Sequence, residues 1–563
     1  MKKKKKIKID FFWVFLWLGL LIILIYSRFL NLNWGFPFWM NPDERNIAWS
    51  IQNLKCDLSN LSQCGNPHFF AYGQFPIYMG YLVVLLIKFF DGDLGTITSS
   101  QEAVLSLRII SALTSVINAL IIIKILKTLK KINQFNLIFL FLIVIFSPFF
   151  IQFSHFGTTE SLLMLFYSMI IYLSLQFVEE SENLSNILKK IFGLGLISGL
   201  SVATKISSFI FLLVPLIMII FFQKSKLRTK FRLLFFYIIF SLFFGLIFSP
   251  YNILNFNDFI SSLTYEKGVA DGSILVFYNR QFLFSRPIIF QFLKIYPYAL
   301  GLMNFILFIL GFFLTSWKDK KYLFLRLAFL IYFLPSSFLF VKWTRFQAPI
   351  LPLALIFTLL FLDNIKKKII FFLIILGCLL PGVAYLSVYK NDDVRIAASN
   401  WIFENLPNGA KILSETANVV DVPFVALTKK NINKSFNLVS FNFYDLDSSY
   451  QLQLDLNYHL NTADYILIPS RRIIYNYTCL KNENDFAYFS NRCAFLKKKY
   501  PQLENYYRKI LYNKDRFQLI KTFTSYPKIV LFGKKLIAIP DEEAEETWSV
   551  FDHPVIRIYK IIK

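Results

Sequence analysis

Long apolar runs recur along this chain from residue 11 to residue 389 and then stop. A run of roughly 20 such residues can cross about 30 Å of hydrocarbon as a helix, and a helix satisfies its own backbone where no water can. With 56% hydrophobic residues, 66 phenylalanines and a mean hydropathy of +0.52, the recurrence takes the chain outside the range of soluble domains. It predicts an α-helical polytopic membrane protein. A net charge of +25 would point a soluble chain toward nucleic acid. Here the basic residues sit in short clusters between apolar runs, where they orient helices, so nucleic acid is not expected as a partner.

Those clusters set the expected topology. Six lysines lie within Met1 to Ile9, directly before the run Phe11 to Leu30. That run is longer than a signal-peptide core and lacks a small-residue cleavage site, so it reads as a retained helix with its amino terminus in the cytoplasm. Later clusters at Lys124 to Lys131, Lys224 to Arg232, Lys318 to Lys321 and Lys366 to Lys368 belong on the same side. They share it only if the apolar stretch Phe75 to Phe90, which begins beside a proline and carries Lys88, does not cross. We therefore read Phe75 to Phe90 as a juxtamembrane or re-entrant helix inside one long first outer loop, residues 31–103. Crossings are then expected at residues 11–30, 104–127, 135–153, 159–178, 188–204, 206–222, 233–249, 297–316, 322–341, 347–363 and 369–389, eleven in all. An odd count leaves the carboxyl terminus outside the cell membrane.

From residue 390 the pattern changes. Charged residues become frequent, strand-like runs such as Tyr465 to Pro469 and Ile529 to Phe532 alternate with helical patterns such as Val394 to Asn405, and no long apolar run follows. Two domains are expected: a transmembrane unit, residues 1–389, and an extracytoplasmic α/β unit, residues 390–563. Cys56 and Cys64 fall in the first outer loop and Cys479 and Cys493 in the outer unit, which permits two local disulfides; Cys378 lies within a helix.

On this topology the adjacent carboxylates Asp43 and Glu44, the segment Ser154 to Glu160, Lys205, Lys342 and Arg345 all reach one membrane surface. A cation at a helix end can be a plain interfacial anchor. Cations on the outer side run against the charge bias, and they suit a phosphate held at headgroup level, where arginine can engage two oxygens at once.

Several motifs then resemble a known group. Asn41-Pro42-Asp43-Glu44-Arg45, Asn66-Pro67-His68-Phe69-Phe70 with Tyr72-Gly73, Arg108 before Ile109 to Leu113, Lys205 closing Gly199 to Lys205, and Arg345-Phe346 before Pro349 and Pro352 look like polyprenyl-phosphate-dependent glycosyltransferases of the C-type superfamily. These are relatives of the protein O-mannosyltransferases and the lipid A aminoarabinose transferases. The outer tail, with Ala544 to Thr547 and Phe551 to Pro554, is similar to the end of bacterial members.

The resemblance implies inverting transfer of a sugar from a polyprenyl-phosphate donor to an acceptor hydroxyl on a protein, glycan or lipid. Asp43 would be the general base. Lys205 and Arg345, with Arg108 and Lys342 behind them, would hold the leaving phosphate. Glu44 would orient a cation, and Glu160 takes the place of an acidic residue in the second outer loop; His68 and Tyr72 belong to the matched motifs. His155 reads as a hydrogen-bonding residue ahead of a ligand. With Asp43 and Glu160 it could complete a divalent metal site, which nothing in the spacing demands; no cofactor is required. The rival classes are a transporter or flippase of a lipid-linked sugar, for which polar groups at mid-membrane and symmetric halves would be expected, and a receptor with an outer sensing domain.

Overall fold

The computed structural model describes residues 11–54, 65–177, 184–416, 421–425, 434–480 and 486–563. Apolar helical segments overlap the expected crossings. Among the described residues, seven helices are long and apolar enough to cross a bilayer by themselves: Phe11–Phe29, Ser100–Leu129, Asn186–Thr204, Leu227–Ile247, Lys320–Phe338, Thr344–Leu362 and Lys368–Lys390. An eighth candidate is a pair, Gln134–Ile145 and Pro148–His155, bent by 47° where Pro148 interrupts the run. Glu160–Leu175, Ile206–Phe222 and Leu302–Leu314 are apolar but shorter. The chain is a multi-pass membrane protein.

Phe75–Asp91 is a helix that ends at Gly92 in the left-handed conformation. Its Lys88 is buried, 3.1 Å from Glu102, and Glu102 completes a capping box with Ser99 at the start of Ser100–Leu129. The two helices are thereby joined end to start. Before them, Asn41 caps a helix over Pro42–Gln52: its side-chain oxygen accepts from the N–H groups of Asp43 (3.0 Å) and Glu44 (3.4 Å), and Pro42 occupies the first turn. Glu44, Ile47, Ala48 and Ile51 form its buried stripe at helical spacing.

Among the described residues the carboxyl-terminal part has seven strands: β1 (Lys411–Glu415), β2 (Asn437–Phe441), β3 (Tyr465–Ile468), β4 (Phe517–Phe523), β5 (Lys528–Leu531), β6 (Lys534–Ala538) and β7 (Ile556–Ile561). Five form one mixed sheet in the order β2-β1-β3-β7-β4, parallel across β2-β1-β3 and antiparallel across β3-β7-β4. Successive residues point to opposite faces: Tyr465 and Leu467 enter one core, Ile466 and Ile468 another. Both faces are covered, which gives the expected α/β architecture. Strands β5 and β6 pair with each other as a separate hairpin.

Cys479 and Cys493 are bonded; the pair Cys56 and Cys64 lies outside the described residues. One part of the tail does not stay with the sheet. Ala544, Trp548, Val550 and Phe551 pack into the same apolar core as the membrane helices, so residues 541–553 form a strap over the helical bundle.

Candidate active site

Asp43 projects from the first turn of its helix away from the Glu44 stripe, and its carboxylate meets the guanidinium of Arg345 in a direct ion pair. Both lie on a narrow cleft with Glu160, Gln152 and, from the strap, Thr547 and Phe551. Arg345 also stacks 4.4 Å from the Trp343 ring. Its Nε has no hydrogen-bond partner among the described residues.

Lys205 sits at the break between Leu184–Thr204 and the turn Ile206–Leu212. Its ammonium lies 3.9 Å from Glu160 Oε1, 5.1 Å from the Tyr72 ring and 5.2 Å from the Phe346 ring, a cation held by one carboxylate and two aromatic faces. Gly73 makes this possible. Its N–H donates to Thr204 O at 2.9 Å, and a Cβ there would stand 1.9 Å from Ala203 O. Only glycine lets the Tyr72 loop touch the helix end beside Lys205.

Asp43, Glu160, Lys205, Arg345 and Tyr72 thus converge from separate stretches of sequence, while other expected members do not join them. Glu44 is fully buried: its two oxygens take Arg108 Nε (2.9 Å) and Nη2 (2.8 Å), and Gly157 N donates at 2.5 Å. Arg108 donates further to Leu32 O (2.7 Å) and Trp34 O (2.8 Å). Glu44 and Arg108 therefore close the fold beneath Asp43 and have no face on the cleft. Lys342 donates to Leu339 O (2.9 Å) and Phe340 O (3.0 Å), fixing the turn after Lys320–Phe338. Burial pulls its ammonium down to about 8. Glu44 thus orients a cation, Arg108, while Arg108 and Lys342 have their polar atoms engaged inside the protein rather than on the cleft.

His155 is likewise turned inward. Its ring nitrogens lie 2.7 Å from Ile151 O and 2.8 Å from Leu30 O, and its ring stacks on Tyr389. It does not complete a metal site with Asp43 and Glu160, and among the described residues no three His, Cys, Asp or Glu side chains cluster for a metal. His68 is exposed with a positive φ and lies outside the cleft.

Three contributors carried no role in the sequence reading. Glu266, on the helix Phe256–Asp271, interacts with Arg345, Lys205 and Asp43; partial desolvation outweighs the two cations and raises its carboxyl above the ordinary value. Glu545, on the strap, is buried and accepts from Thr344 N (3.0 Å), Thr344 Oγ1 (2.9 Å), Gln281 Nε2 (2.9 Å), Thr547 N (3.0 Å) and Thr547 Oγ1 (2.6 Å). It fixes the residue next to Arg345. Gln152 donates to Trp548 O (2.6 Å) and ties the cleft wall to the strap.

The strap is itself held by a buried triad. His553 lies 2.5 Å from Asp552 and 2.7 Å from Asp541, and Asp552 accepts from Tyr389 (2.7 Å), Tyr385 (3.1 Å) and Gln152 (3.3 Å). Burial alone would lower the imidazole, yet the two carboxylates hold it up to about 10. Arg395 adds a clamp, donating to Met40 O (3.0 Å) before the Asp43 helix and to Phe551 O (2.9 Å) in the strap. Glu545 also borders a cavity of about 470 Å³ lined by Arg286, Ile289, Leu293, Lys294, Arg471 and Arg492.

Residues 96–253 match the dolichyl-phosphate-mannose-protein mannosyltransferase family. The stretch includes Arg108, Glu160 and Lys205 and leaves Asp43 and Arg345 outside. No curated protein matches the sequence. Among solved structures, the chain is similar to the archaeal oligosaccharyltransferase AglB from Archaeoglobus fulgidus in complex with an inhibitory peptide and a dolichol-phosphate, at 11% identity over 83% of this chain and 70% of that one, with a TM-score of 0.46. It is also similar to ArnT from Cupriavidus metallidurans bound to undecaprenyl phosphate, at 12% identity over 82% of this chain and 93% of that one, with a TM-score of 0.47. The family match over residues 96–253 agrees with the resemblance read from the motifs.

Proposed function

We propose that the protein transfers a sugar from a polyprenyl-phosphate donor to an acceptor hydroxyl, with inversion, at the outer face of the cell membrane. Asp43 takes the acceptor's proton as its oxygen attacks the anomeric carbon, and the bond to phosphate breaks on the opposite side. Arg345 and Lys205 receive the charge left on the phosphate. Glu160 orients Lys205, Glu44 and Arg108 hold the Asp43 helix, and Glu545 holds the backbone beside Arg345.

The observation that carries this reading is the convergence of the carboxylates of Asp43 and Glu160 with two cations, Arg345 and Lys205, of which Arg345 keeps a donor without a partner among the described residues. The cleft at Asp43 holds about 10 Å³, about the room of one water. A sugar phosphate must therefore open it, and the simplest opening transfers Arg345 from Asp43 to the phosphate, freeing the base as the donor seats. No metal enters this reading, and assaying the rate before and after chelation tests that choice. Purified protein in vesicles, incubated with a panel of radiolabelled polyprenyl-phosphate sugars and extracted membrane acceptors, should move one label and release polyprenyl phosphate. Transport of sugar lipid without release of polyprenyl phosphate would overturn the reading, as would full activity after Lys205→Ala and Arg345→Ala together.

A further inference from the structure

The β5–β6 hairpin stands apart from the five-stranded sheet and exposes what a water-facing hairpin should hide. Phe532 at its tip is 95% exposed and Leu536 60%, and Val530, Leu531 and Ile537 lie open beside them. Five clustered apolar side chains exceed the scattered exposure of an ordinary surface. Backbone conformation makes the tip residue more unusual. Phe532 and Gly533 both have positive φ, 48° and 76°, as a two-residue turn between paired strands requires. Asparagine or glycine meets that demand cheaply, whereas a bulky aromatic residue at positive φ is strained. The side chain must gain something from where it points.

The hairpin's surroundings identify the gain. β5 packs against the helix Lys368–Lys390, and Lys528 N donates to Ser387 Oγ at 3.0 Å near that helix's end. The same helix exposes Leu373, Leu376 and Val383, the outward surface of a membrane-crossing segment. The exposed apolar side chains of the hairpin therefore sit beside a helix whose outer surface faces lipid. Lys534 and Lys535 are exposed beside Phe532, and Lys390 is exposed at the helix end. An apolar wedge edged with lysines suits the boundary between acyl chains and anionic headgroups.

We propose that the β5–β6 hairpin inserts its tip into the bilayer interface, with Phe532, Leu531 and Leu536 among the upper acyl chains and Lys534 and Lys535 at lipid phosphates. Because Ile539 and Pro540 lead from β6 straight into the strap, the anchor fixes the strap's base at membrane level. The proposal rests on the membrane fold and is independent of the reaction assigned above.

The test uses full-length protein reconstituted into phosphatidylglycerol-containing vesicles, with an environment-sensitive fluorophore on Phe532→Cys and, separately, on Leu536→Cys; identically treated wild type sets the background. The expected result is blue-shifted emission at both positions, quenched at least twofold by lipids brominated high on the acyl chain. Converting Lys534 and Lys535 to glutamine should reduce that quenching in anionic vesicles and leave it unchanged in neutral ones. Water-like emission without quenching would overturn the proposal. So would blue-shifted emission that bromolipids do not quench, since the tip would then be docked on protein. Both sites are exposed in the fold, and a failure of one to label leaves the other to decide.

Discussion

Asp43 and Glu44 are neighbours on one helical turn, and their surroundings are opposites. Glu44 and its partner Arg108 are 2% and 1% exposed, and each polar atom of the pair is engaged. Asp43 and Arg345 are 20% and 17% exposed, and Arg345 keeps a free Nε. Successive residues on a helix point about 100° apart, so one carboxylate faces the core and the other the cleft. A buried pair with no spare donor can hold a shape but cannot change partners without exposing a charge to low dielectric. The half-open pair can exchange its partner for a phosphate. On the function proposed above, the difference separates scaffold from chemistry within two residues.

The largest expected effect comes from breaking the closed pair. Arg108→Ala leaves Glu44 charged and unpaired in the interior, which typically costs 3–5 kcal/mol, a large part of the roughly 5–15 kcal/mol that stabilises a domain. Thermal unfolding in detergent should show a steep loss of folded protein. If Arg108→Ala unfolds at the wild-type temperature and loses only donor affinity, Arg108 belongs at the phosphate after all.

Asp43→Asn should do the reverse. A partly exposed pair contributes about 0–1 kcal/mol, so the unfolding temperature should barely move, while transfer falls by about 10² to 10⁴ with the donor still bound. Arg345→Ala should weaken donor binding as well as rate. A residual rate in Asp43→Asn above about a tenth of wild type would be too high for a general base, and the amide substitution at Glu160 would then be the next to measure.

Glu545→Gln tests whether the open side of the comparison is held from the strap. The amide keeps the volume and loses the full charge that accepts from Thr344 and Thr547. We expect a five- to tenfold rise in KM for the donor with a smaller change in kcat, roughly 1–1.4 kcal/mol of binding, and partial recovery in Glu545→Asp. Equal loss in kcat and stability, with KM unchanged, would make Glu545 structural only.

The sequence made the membrane helices legible because length and hydropathy depend on composition, and lysine placement was enough to bring Asp43, Glu160, Lys205 and Arg345 to one surface. It did not show that Arg108 and Lys342 turn their donors into the protein, since a charge at a helix end looks the same whether its atoms face a phosphate or a carbonyl. One warning was readable: Glu44, Ile47, Ala48 and Ile51 already share a face. Glu266 gave no signal, lying outside every motif. The strap was hidden by the composition change at residue 390, which marks where lipid-crossing ends but not which later residues fold back onto the helices, as Trp548 and Phe551 do.

The smallest effect concerns how firmly that strap is held. His553 between Asp541 and Asp552 has its pKa raised from 6.5 to about 10, so the folded protein keeps a proton that the unfolded chain releases. A raised pKa contributes stability that is complete below about 6.5 and is lost as pH rises through about 10. The slope is at most about 1.4 kcal/mol per pH unit for one proton. Between pH 7 and pH 8 the unfolding temperature should therefore drop by a few degrees. His553→Gln, which cannot take up the proton, should start lower and show a flatter profile over the same interval. Asp552 runs the other way: burial would raise it, but His553 and the hydrogen bonds of Tyr389 and Gln152 hold it below its ordinary value, so its contribution is lost only on the acid side. If wild type and His553→Gln lose stability in parallel above pH 7, the proton is not on His553, and the strap is held by the apolar contacts of Trp548 and Phe551 rather than by charge.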